Sequence, residues 1–193
     1  MIHAIIDIGS NTVRMAIYEI EGERIEFLMK KKHLVGLAAY LEQNRMTSQG
    51  IDKVCGVLEG FKAFLDIFKI KNVVAFTTAA LRNCENSREA VAEIIARTGV
   101  EIEIISGDKE AEYDYIGATR NIADDSGVLV DIGGASTELV YFKAGKIVHK
   151  VSLHMGSLSF KTKYVKGTLP TAEEIAQMRA EAQRIFAEAA AFK

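Results

Sequence analysis

The chain has 193 residues, of which 49% are hydrophobic, and its formal net charge at pH 7 is −2. This composition is typical of a globular protein with one large or two small cores. No apolar run is long enough for a transmembrane helix, and the near-neutral charge does not favour binding to duplex nucleic acid.

The first part of the chain alternates between apolar patterns of strand and helix period. In chain order, the patterns predict strands at 2–8, 12–20 and 24–32, a helix from Thr47 to about Lys69, a strand at 72–76, a helix at 86–98, a strand at 101–105 and a helix from Ser106 to about Asn121. Thr47 and Ser106 are the expected N-caps of two of these helices. The alternation predicts an α/β fold.

A polar hinge at 123–127 separates this part from the rest of the chain, and we place a lobe boundary there, giving lobes of 1–124 and 125–193. The second lobe is expected to hold three strands, a glycine-led helix near Gly156 and a helix from Thr171 to Phe192. Thr171 and Glu174 form a capping box for the last helix. Because this lobe has fewer elements than the first, we expect it to be truncated.

The stretch from Val130 to Glu138 predicts a β-hairpin with a glycine-rich tip. The glycines favour positive φ angles and leave N–H groups open to phosphate oxygens. Asp131, at the end of the first strand, can hold a divalent cation, and Ser136 and Thr137 add hydroxyl donors. An ordinary hairpin turn is the alternative reading of this stretch alone.

The sequence pattern of this hairpin also occurs at the start of the chain. Without a gap, Asp7 aligns with Asp131, Gly9 with Gly133 and Thr12 with Ser136. Two hairpins with Asp-x-Gly at matching places indicate a duplicated unit. Two such tips facing each other would clamp phosphate groups at a cleft between lobes.

Two other segments offer candidate groups. Arg82 follows a strand-to-helix passage that could direct N–H groups and a guanidinium at an anion; a surface arginine is the alternative. Glu110 and Glu112 lie in the first turn of a helix, where acids also suit the helix dipole.

Four segments together resemble the exopolyphosphatase/guanosine pentaphosphate phosphohydrolase family of the sugar kinase, heat-shock chaperone and actin superfamily. They are Asp7–Arg14 (DIGSNTVR), Thr77–Arg82 (TTAALR), Ser106–Ala111 (SGDKEA) and Asp131–Leu139 (DIGGASTEL). The resemblance implies a ribonuclease-H-like (actin-like) duplicated fold, here one complete lobe plus the first part of a second. It also implies a hydrolase that releases terminal phosphate from inorganic polyphosphate with Mg²⁺. Cys55 and Cys84 have no metal-like spacing, which favours free thiols in a reducing cytoplasm.

The resemblance assigns roles to individual residues. Asp7 and Asp131 are the expected metal ligands. Glu110 and Glu138 are the expected catalytic residues, with Glu110 as the base that activates water and Glu138 near the metal. The predicted substrate-binding residues are Ser10, Asn11, Thr12, Arg82, Gly133, Gly134, Ser136 and Thr137.

Alternatives to exopolyphosphatase activity stay open on the sequence. Guanosine pentaphosphate presents the same terminal phosphoanhydride, and a non-catalytic domain that binds phosphate or nucleotide fits a truncated second lobe. Between Leu139 and Ala172 the chain has no acidic residue but several lysines, from Lys143 to Lys166, which could attract a polyanion or simply face solvent. An open strand edge in the second lobe could also pair two chains into a homodimer.

Overall fold

The computed structural model describes residues 1–189 and 192. They form two compact units, Met1–Ile105 and Ser106–Lys193. Each unit contains one sheet of three or more strands with helices packed against it. The predicted α/β class is confirmed.

The first unit contains a five-stranded sheet of mixed direction. Its strands and a short additional hairpin are β1 (Ile2–Ile8), β2 (Thr12–Glu21), β3 (Arg24–Leu34), β4 (Leu41–Glu42), β5 (Arg45–Met46), β6 (Asn72–Thr77) and β7 (Glu103–Ile104). The order is β3-β2-β1-β6-β7, with β1 to β3 antiparallel and β6 parallel to β1. The predicted strand at 101–105 is reduced to the two residues of β7, whereas the other predicted strands of this unit are confirmed.

Helices cover one face of this sheet. They are α1 (Ser48–Ile67), α2 (Ala79–Arg82) and α3 (Ser87–Thr98), and a 3-10 turn spans Leu37–Tyr40. Thr47 caps α1 as predicted, because its hydroxyl oxygen accepts the N–H of Gly50 at 3.3 Å. The apolar stripe of α1 packs on alternate residues of β1, so that Ala4, Ile6 and Ile8 are fully buried.

The second unit consists of three antiparallel strands and three helices. They are α4 (Gly107–Thr119), β8 (Gly127–Ile132), β9 (Thr137–Lys143), β10 (Lys146–Leu153), α5 (Ser157–Tyr164) and α6 (Ala172–Glu188). The strand order is β10-β9-β8, which leaves β8 at an edge.

The last helix starts where its sequence signal places it. The N–H of Glu174 donates to the Thr171 hydroxyl at 3.2 Å, and the N–H of Thr171 donates to the Glu174 carboxylate at 2.8 Å, which confirms the capping box. This helix was predicted to continue to Phe192; α6 ends at Glu188, and Ala190 and Ala191 lie outside the described residues. In the described part of the chain, no helix is both long and apolar enough to cross a bilayer.

The helix α4 belongs to the second compact unit, so the units divide between Ile105 and Ser106 and not at the predicted position after Asp124. It packs against β9 and β10. The ring of Tyr115 lies 5.2 Å from that of Phe142, and the Lys150 ammonium contacts the Glu112 carboxylate. The sequence predicts this helix from its N-cap at Ser106 but not which sheet the helix covers.

The two copies of the repeat differ in how their first strands are covered. In β1, Ala4, Ile6 and Ile8 are completely buried, and the strand has neighbours on both sides. The aligned residues of β8 are Val128, Val130 and Ile132, and they are 58%, 53% and 66% exposed. The second unit, as described, therefore leaves an exposed apolar row on an edge strand, which is paired on one side only.

Candidate functional site

Both hairpin tips have the same backbone geometry. The N–H of Gly9 donates to the carbonyl of Thr12 at 3.0 Å, and the N–H of Gly133 donates to the carbonyl of Ser136 at 2.9 Å. A Cβ added to either glycine would lie 3.2 Å from that same carbonyl oxygen. The aligned positions thus close the same tight turn, which supports the duplication inferred from the sequence.

The reason for glycine at these tips differs from the predicted one. Positive φ angles occur at the ordinary turns of Gly22 and Gly145, but neither Gly9 nor Gly133 has one. The expectation of a left-handed conformation at Gly133 is wrong. Glycine is favoured there because the chain approaches its own carbonyl closely.

Each tip presents two N–H groups without a protein acceptor among the described residues. They belong to Ser10 and Asn11 in the first tip and to Gly134 and Ala135 in the second. Adjacent free N–H groups on a tight turn form an anion-binding concavity. The backbone of each tip can therefore bind a phosphate oxygen.

The carbonyls of the first tip are already engaged. The N–H of Ala38 donates to the Ser10 carbonyl at 3.2 Å, and those of Val35 and Gly36 donate to the Asn11 carbonyl, each at 2.9 Å. Since a trans peptide directs its C=O and N–H groups to opposite sides, the Ser10 carbonyl bond fixes the direction of the Asn11 N–H.

The hydroxyl side chains at the tips are less available than their sequence suggested. Ser10 is 6% exposed, Ser136 is 3% exposed and Thr137 is 1% exposed. The Thr137 hydroxyl donates to the carbonyl of Met155 at 2.7 Å and so joins β9 to the end of β10. Among the predicted hydroxyl donors, Thr137 has a structural partner, whereas Thr12 is only half-buried.

The two candidate metal ligands lie in different charge environments. Asp7 faces Arg14 across the β1–β2 pair, and their side chains form an ion pair of 2.9 Å. At the aligned position of the second copy, Asp131 faces Glu138. One tip therefore neutralises its aspartate with an arginine, whereas the other sets two carboxylates side by side.

Glu138 is 1% exposed, and its carboxylate accepts a hydrogen bond of 2.7 Å from Ser152. Like charges directly opposite on neighbouring strands are unfavourable unless a cation or a proton offsets them. Among the described residues, no group of three or more His, Cys, Asp or Glu side chains forms a preassembled metal site. Because Mg²⁺ commonly uses one or two carboxylates and completes its shell with water and phosphate, the donor set of Asp131 and Glu138 fits this ion.

The start of α4 carries both candidate glutamates, Glu110 in the first turn and Glu112 in the next. Ser106 caps this helix, with its hydroxyl oxygen 3.2 Å from the N–H of Lys109. Glu112 contacts Lys150, and this hydrogen bond and charge lower the pKa of Glu112 below its ordinary value. Glu110 is half-buried in the first turn.

Lys150 and Ser152 are alternate residues of β10, so their side chains lie on one face of the strand. Lys150 contacts Glu112, whereas Ser152 holds Glu138. Neither residue was singled out as a supporting group by the sequence. The hairpin register, which sets Ser152 opposite Glu138, is the signal that could have identified the serine.

Arg82 lies at the end of the four-residue helix α2. Its guanidinium donates to the carbonyl of Ile105 and to the side chain of Asn83, each at 3.3 Å. The segment that leads to Arg82 begins at Thr77, beside the first tip, because the Thr77 hydroxyl donates to the carbonyl of Ile8 at 3.0 Å. The structure thus groups the motif of Arg82 with Asp7, Ser10, Asn11 and Thr12 in the first unit. Asp131, Glu138, the second tip and Glu110 share the second unit.

The lysine-rich segment is partly neutralised by acids outside it. Lys150 contacts Glu112, and Lys163 pairs with Glu181 at 3.0 Å. Arg184 and Lys163 together lower the pKa of Glu181 from 4.5 to about 2. These pairs join β10 to α4 and α5 to α6, and so give two of the lysines a structural role.

Comparison with known proteins identifies relatives of this chain. Residues 16–191 match the model of the Ppx/GppA phosphatase family. A guanosine-5'-triphosphate,3'-diphosphate pyrophosphatase from Pseudoalteromonas atlantica is 30% identical over 177 residues, which cover 91% of this chain and 35% of that protein. The chain thus spans about a third of the length of this relative.

Solved structures show the same fold, which confirms the predicted ribonuclease-H-like (actin-like) α/β fold. An exopolyphosphatase from Cytophaga hutchinsonii superposes with a TM-score of 0.88 at 24% identity, over 96% of this chain and 60% of that one. A PPX-GPPA enzyme from Aquifex aeolicus superposes with a TM-score of 0.76 at 27% identity, over 98% of this chain and 64% of that one.

Proposed function

The chain belongs to the Ppx/GppA phosphatase family, and we propose that it hydrolyses the terminal phosphoanhydride bond of inorganic polyphosphate. The observation that carries this proposal is the repeated tip, in which two adjacent N–H groups are free while a neighbouring aspartate ends the strand. Such a tip suits a phosphate group with a bound cation.

We assign phosphate binding mainly to backbone N–H groups, with side chains as additional donors. The N–H groups of Ser10 and Asn11 at one tip, and of Gly134 and Ala135 at the other, bind phosphate oxygens. Donors fixed by the fold need no reorganisation when negative charge spreads over the transferred phosphoryl group. The Asn11 side chain and the Arg82 guanidinium are the proposed side-chain donors.

The proposed cofactor is Mg²⁺, held by Asp131 with Glu138 beside it. When bound, the ion would offset the negative charge of the phosphate oxygens. Asp7 is the second proposed ligand, but Arg14 already occupies its carboxylate. We therefore assign the larger share of cation binding to the second tip.

Glu110 is the proposed base that takes a proton from the attacking water. A carboxylate can do this when it is held within hydrogen-bond reach of the water. The pair between Glu112 and Lys150 holds the start of α4 on β10, and Glu110 lies two residues before Glu112 in the same helix. Glu112 thereby acts as an anchor, and Glu110 is assigned the proton transfer.

Guanosine pentaphosphate is the second candidate substrate, because the Pseudoalteromonas relative is a guanosine-5'-triphosphate,3'-diphosphate pyrophosphatase. A non-catalytic domain that binds phosphate or nucleotide is the third candidate. The test measures phosphate release from polyphosphate, guanosine pentaphosphate and ATP at equal concentration of terminal phosphate. Faster release from polyphosphate supports the main proposal. Faster release from guanosine pentaphosphate favours the second candidate, and tight binding without release favours the third.

We also propose that two copies of the chain pair through β8. This strand is unpaired on one side, and three of its apolar residues are more than half exposed. Two edges of this kind can join around a two-fold axis as antiparallel neighbours. The pairing would satisfy the open edge of β8 and set its apolar row beside the same row of the partner.

The proposed location is the cytoplasm. Cys55 and Cys84 are both free thiols, as is usual in reducing compartments. Burial raises the pKa of both thiols, which keeps them in the unreactive protonated form at neutral pH. Cell fractionation with antibody detection tests this assignment.

A further inference from the structure

The start of α5 does not offer its N–H groups to an outside anion. The N–H of Ser157 donates to the carbonyl of Gly133, and those of Leu158 and Ser159 donate to the carbonyl of Gly134, each at 2.9 Å. The Ser157 hydroxyl adds a bond of 3.1 Å to the Gly133 carbonyl. A helix N-terminus normally has such donors free for capping groups or ligands. Here the second glycine tip itself is the acceptor.

These bonds determine where the free N–H groups of the tip point. The Gly133 carbonyl shares a peptide unit with the Gly134 N–H, and the Gly134 carbonyl shares one with the Ala135 N–H. A planar trans peptide directs its carbonyl and its N–H to opposite sides. By holding both carbonyls, α5 turns both free N–H groups away from itself.

Gly156, directly before α5, makes this contact possible. A Cβ at this position would lie 2.5 Å from the carbonyl carbon of Gly134, 2.5 Å from the nitrogen of Ala135 and 2.6 Å from the Gly134 oxygen. All three are backbone atoms of the peptide that carries the Ala135 N–H. The φ of Gly156 is −158°, which any residue can adopt, so glycine is required here for space.

The side chain of Ser159 completes the turn. Its hydroxyl oxygen accepts the N–H of Gly156 at 3.0 Å and lies 3.1 Å from the Gly156 carbonyl, to which it can donate. It thus ties the residue that touches the tip to the first turn of α5. The first tip is held differently, by Val35, Gly36 and Ala38, so this arrangement belongs to the second copy alone.

We infer that Gly156 and Ser159 are positioning residues for phosphate binding: through the first turn of α5 they fix the peptides that carry the Gly134 and Ala135 N–H groups. This inference rests on the proposed function, because it assumes that those groups bind phosphate. Neither residue contacts the ligand itself. Their effect is on the orientation of two donors.

The test measures the affinity of the full chain for tripolyphosphate with Mg²⁺ by isothermal titration calorimetry, with the thermal midpoint recorded for each variant. Gly156→Ala is expected to weaken binding about tenfold or more, the equivalent of one lost hydrogen bond to a charged group. Gly117→Ala is the matched control in the same unit, because a Cβ there meets nothing within 4 Å. It should bind like the wild type.

Two variants of Ser159 avoid the steric clash. Ser159→Ala removes the hydroxyl and is expected to weaken binding several-fold, about the value of one neutral hydrogen bond. Ser159→Thr keeps the hydroxyl and should restore wild-type affinity. Wild-type affinity in both Gly156→Ala and Ser159→Ala would overturn the inference while leaving the proposed function intact. No binding by the wild-type chain would instead reject the proposed function.

Discussion

At the scale of single residues, the two tips differ at one cross-strand position, where Arg14 faces Asp7 and Glu138 faces Asp131. Arg14 neutralises the charge of Asp7, whereas the two carboxylates of the second tip favour a cation between or beside them. This contrast assigns the proposed Mg²⁺ mainly to the second tip.

The assignment makes a prediction about metal affinity. Asp131→Asn and Glu138→Gln should each weaken Mg²⁺ binding about tenfold or more, measured by calorimetry in the presence of tripolyphosphate. Asp7→Asn is the comparison, and we expect a smaller loss because Arg14 already competes for that carboxylate. A larger loss at Asp7 would mean that the first tip holds the ion.

Substitutions can also distinguish the roles of the two glutamates of α4. Glu110→Gln should lower turnover of polyphosphate about a hundredfold with little change in substrate affinity, since a placed base contributes mainly to the rate. Glu112→Gln removes the partner of Lys150 and should reduce turnover much less. Equal losses at the two positions, or no loss at Glu110, would reject its role as base.

The sequence could predict which tip residues are special but not every reason for it. The repeat located both glycines, yet the close approach of Gly133 to the Ser136 carbonyl requires coordinates. The buried bond from Thr137 to Met155 joins residues of different strands and has no local signature. The Asp131–Glu138 pair could have been read from the hairpin register, because the tip fixes which residues face each other.

At the scale of elements, the helices with clear capping signals were the most predictable. Thr47 and Thr171 mark the starts of α1 and α6 in the sequence and in the structure. The association of α4 with the second sheet was not predictable, since it depends on tertiary contacts of Tyr115 and Lys150. Local patterns define where an element begins, whereas its packing partner is chosen by the whole fold.

The contact between α5 and α6 should depend on pH. Arg184 and Lys163 lower the pKa of Glu181 from 4.5 to about 2 in the folded protein. Because the folded pKa is depressed, this carboxylate stabilises the fold above about pH 4.5, and the stabilisation is lost as the pH falls through about 2.

The test compares thermal midpoints at pH 7 and near pH 2. Glu181→Gln should lower the midpoint at pH 7, and this deficit should be much smaller near pH 2. Glu101→Gln, at an exposed position of the first unit, is the control and should behave like the wild type at both values. A Glu181→Gln deficit of the same size at both values would show that charge does not contribute to this contact.

At the scale of the whole molecule, the chain combines one sheet whose first strand has a neighbouring strand on both sides with a second sheet whose first strand is at an edge. The aligned apolar residues make the difference clear, since Ile6 is completely buried and Val130 is 53% exposed. The proposed dimer follows from this asymmetry between the copies.

Val130→Lys should therefore convert the proposed dimer into a monomer, because a lysine on a strand edge opposes pairing with another strand. Val74→Lys changes a residue of similar exposure, 55%, on β6 of the first unit, which is not part of the proposed interface. This control should leave the dimer intact. Light scattering of the purified variants measures both masses, and a monomeric wild-type chain would reject pairing through β8.

The central claim is that the duplicated tips bind phosphate through their backbone, and amide chemical shifts test it most directly. Titration of the ¹⁵N-labelled chain with tripolyphosphate and Mg²⁺ should produce the largest shift changes at Ser10, Asn11, Gly134 and Ala135. Binding through the lysine-rich segment would instead concentrate the changes between Lys143 and Lys166. Changes at the four tip amides would agree with the proposed site, whereas unchanged tip amides in a saturated complex would contradict it.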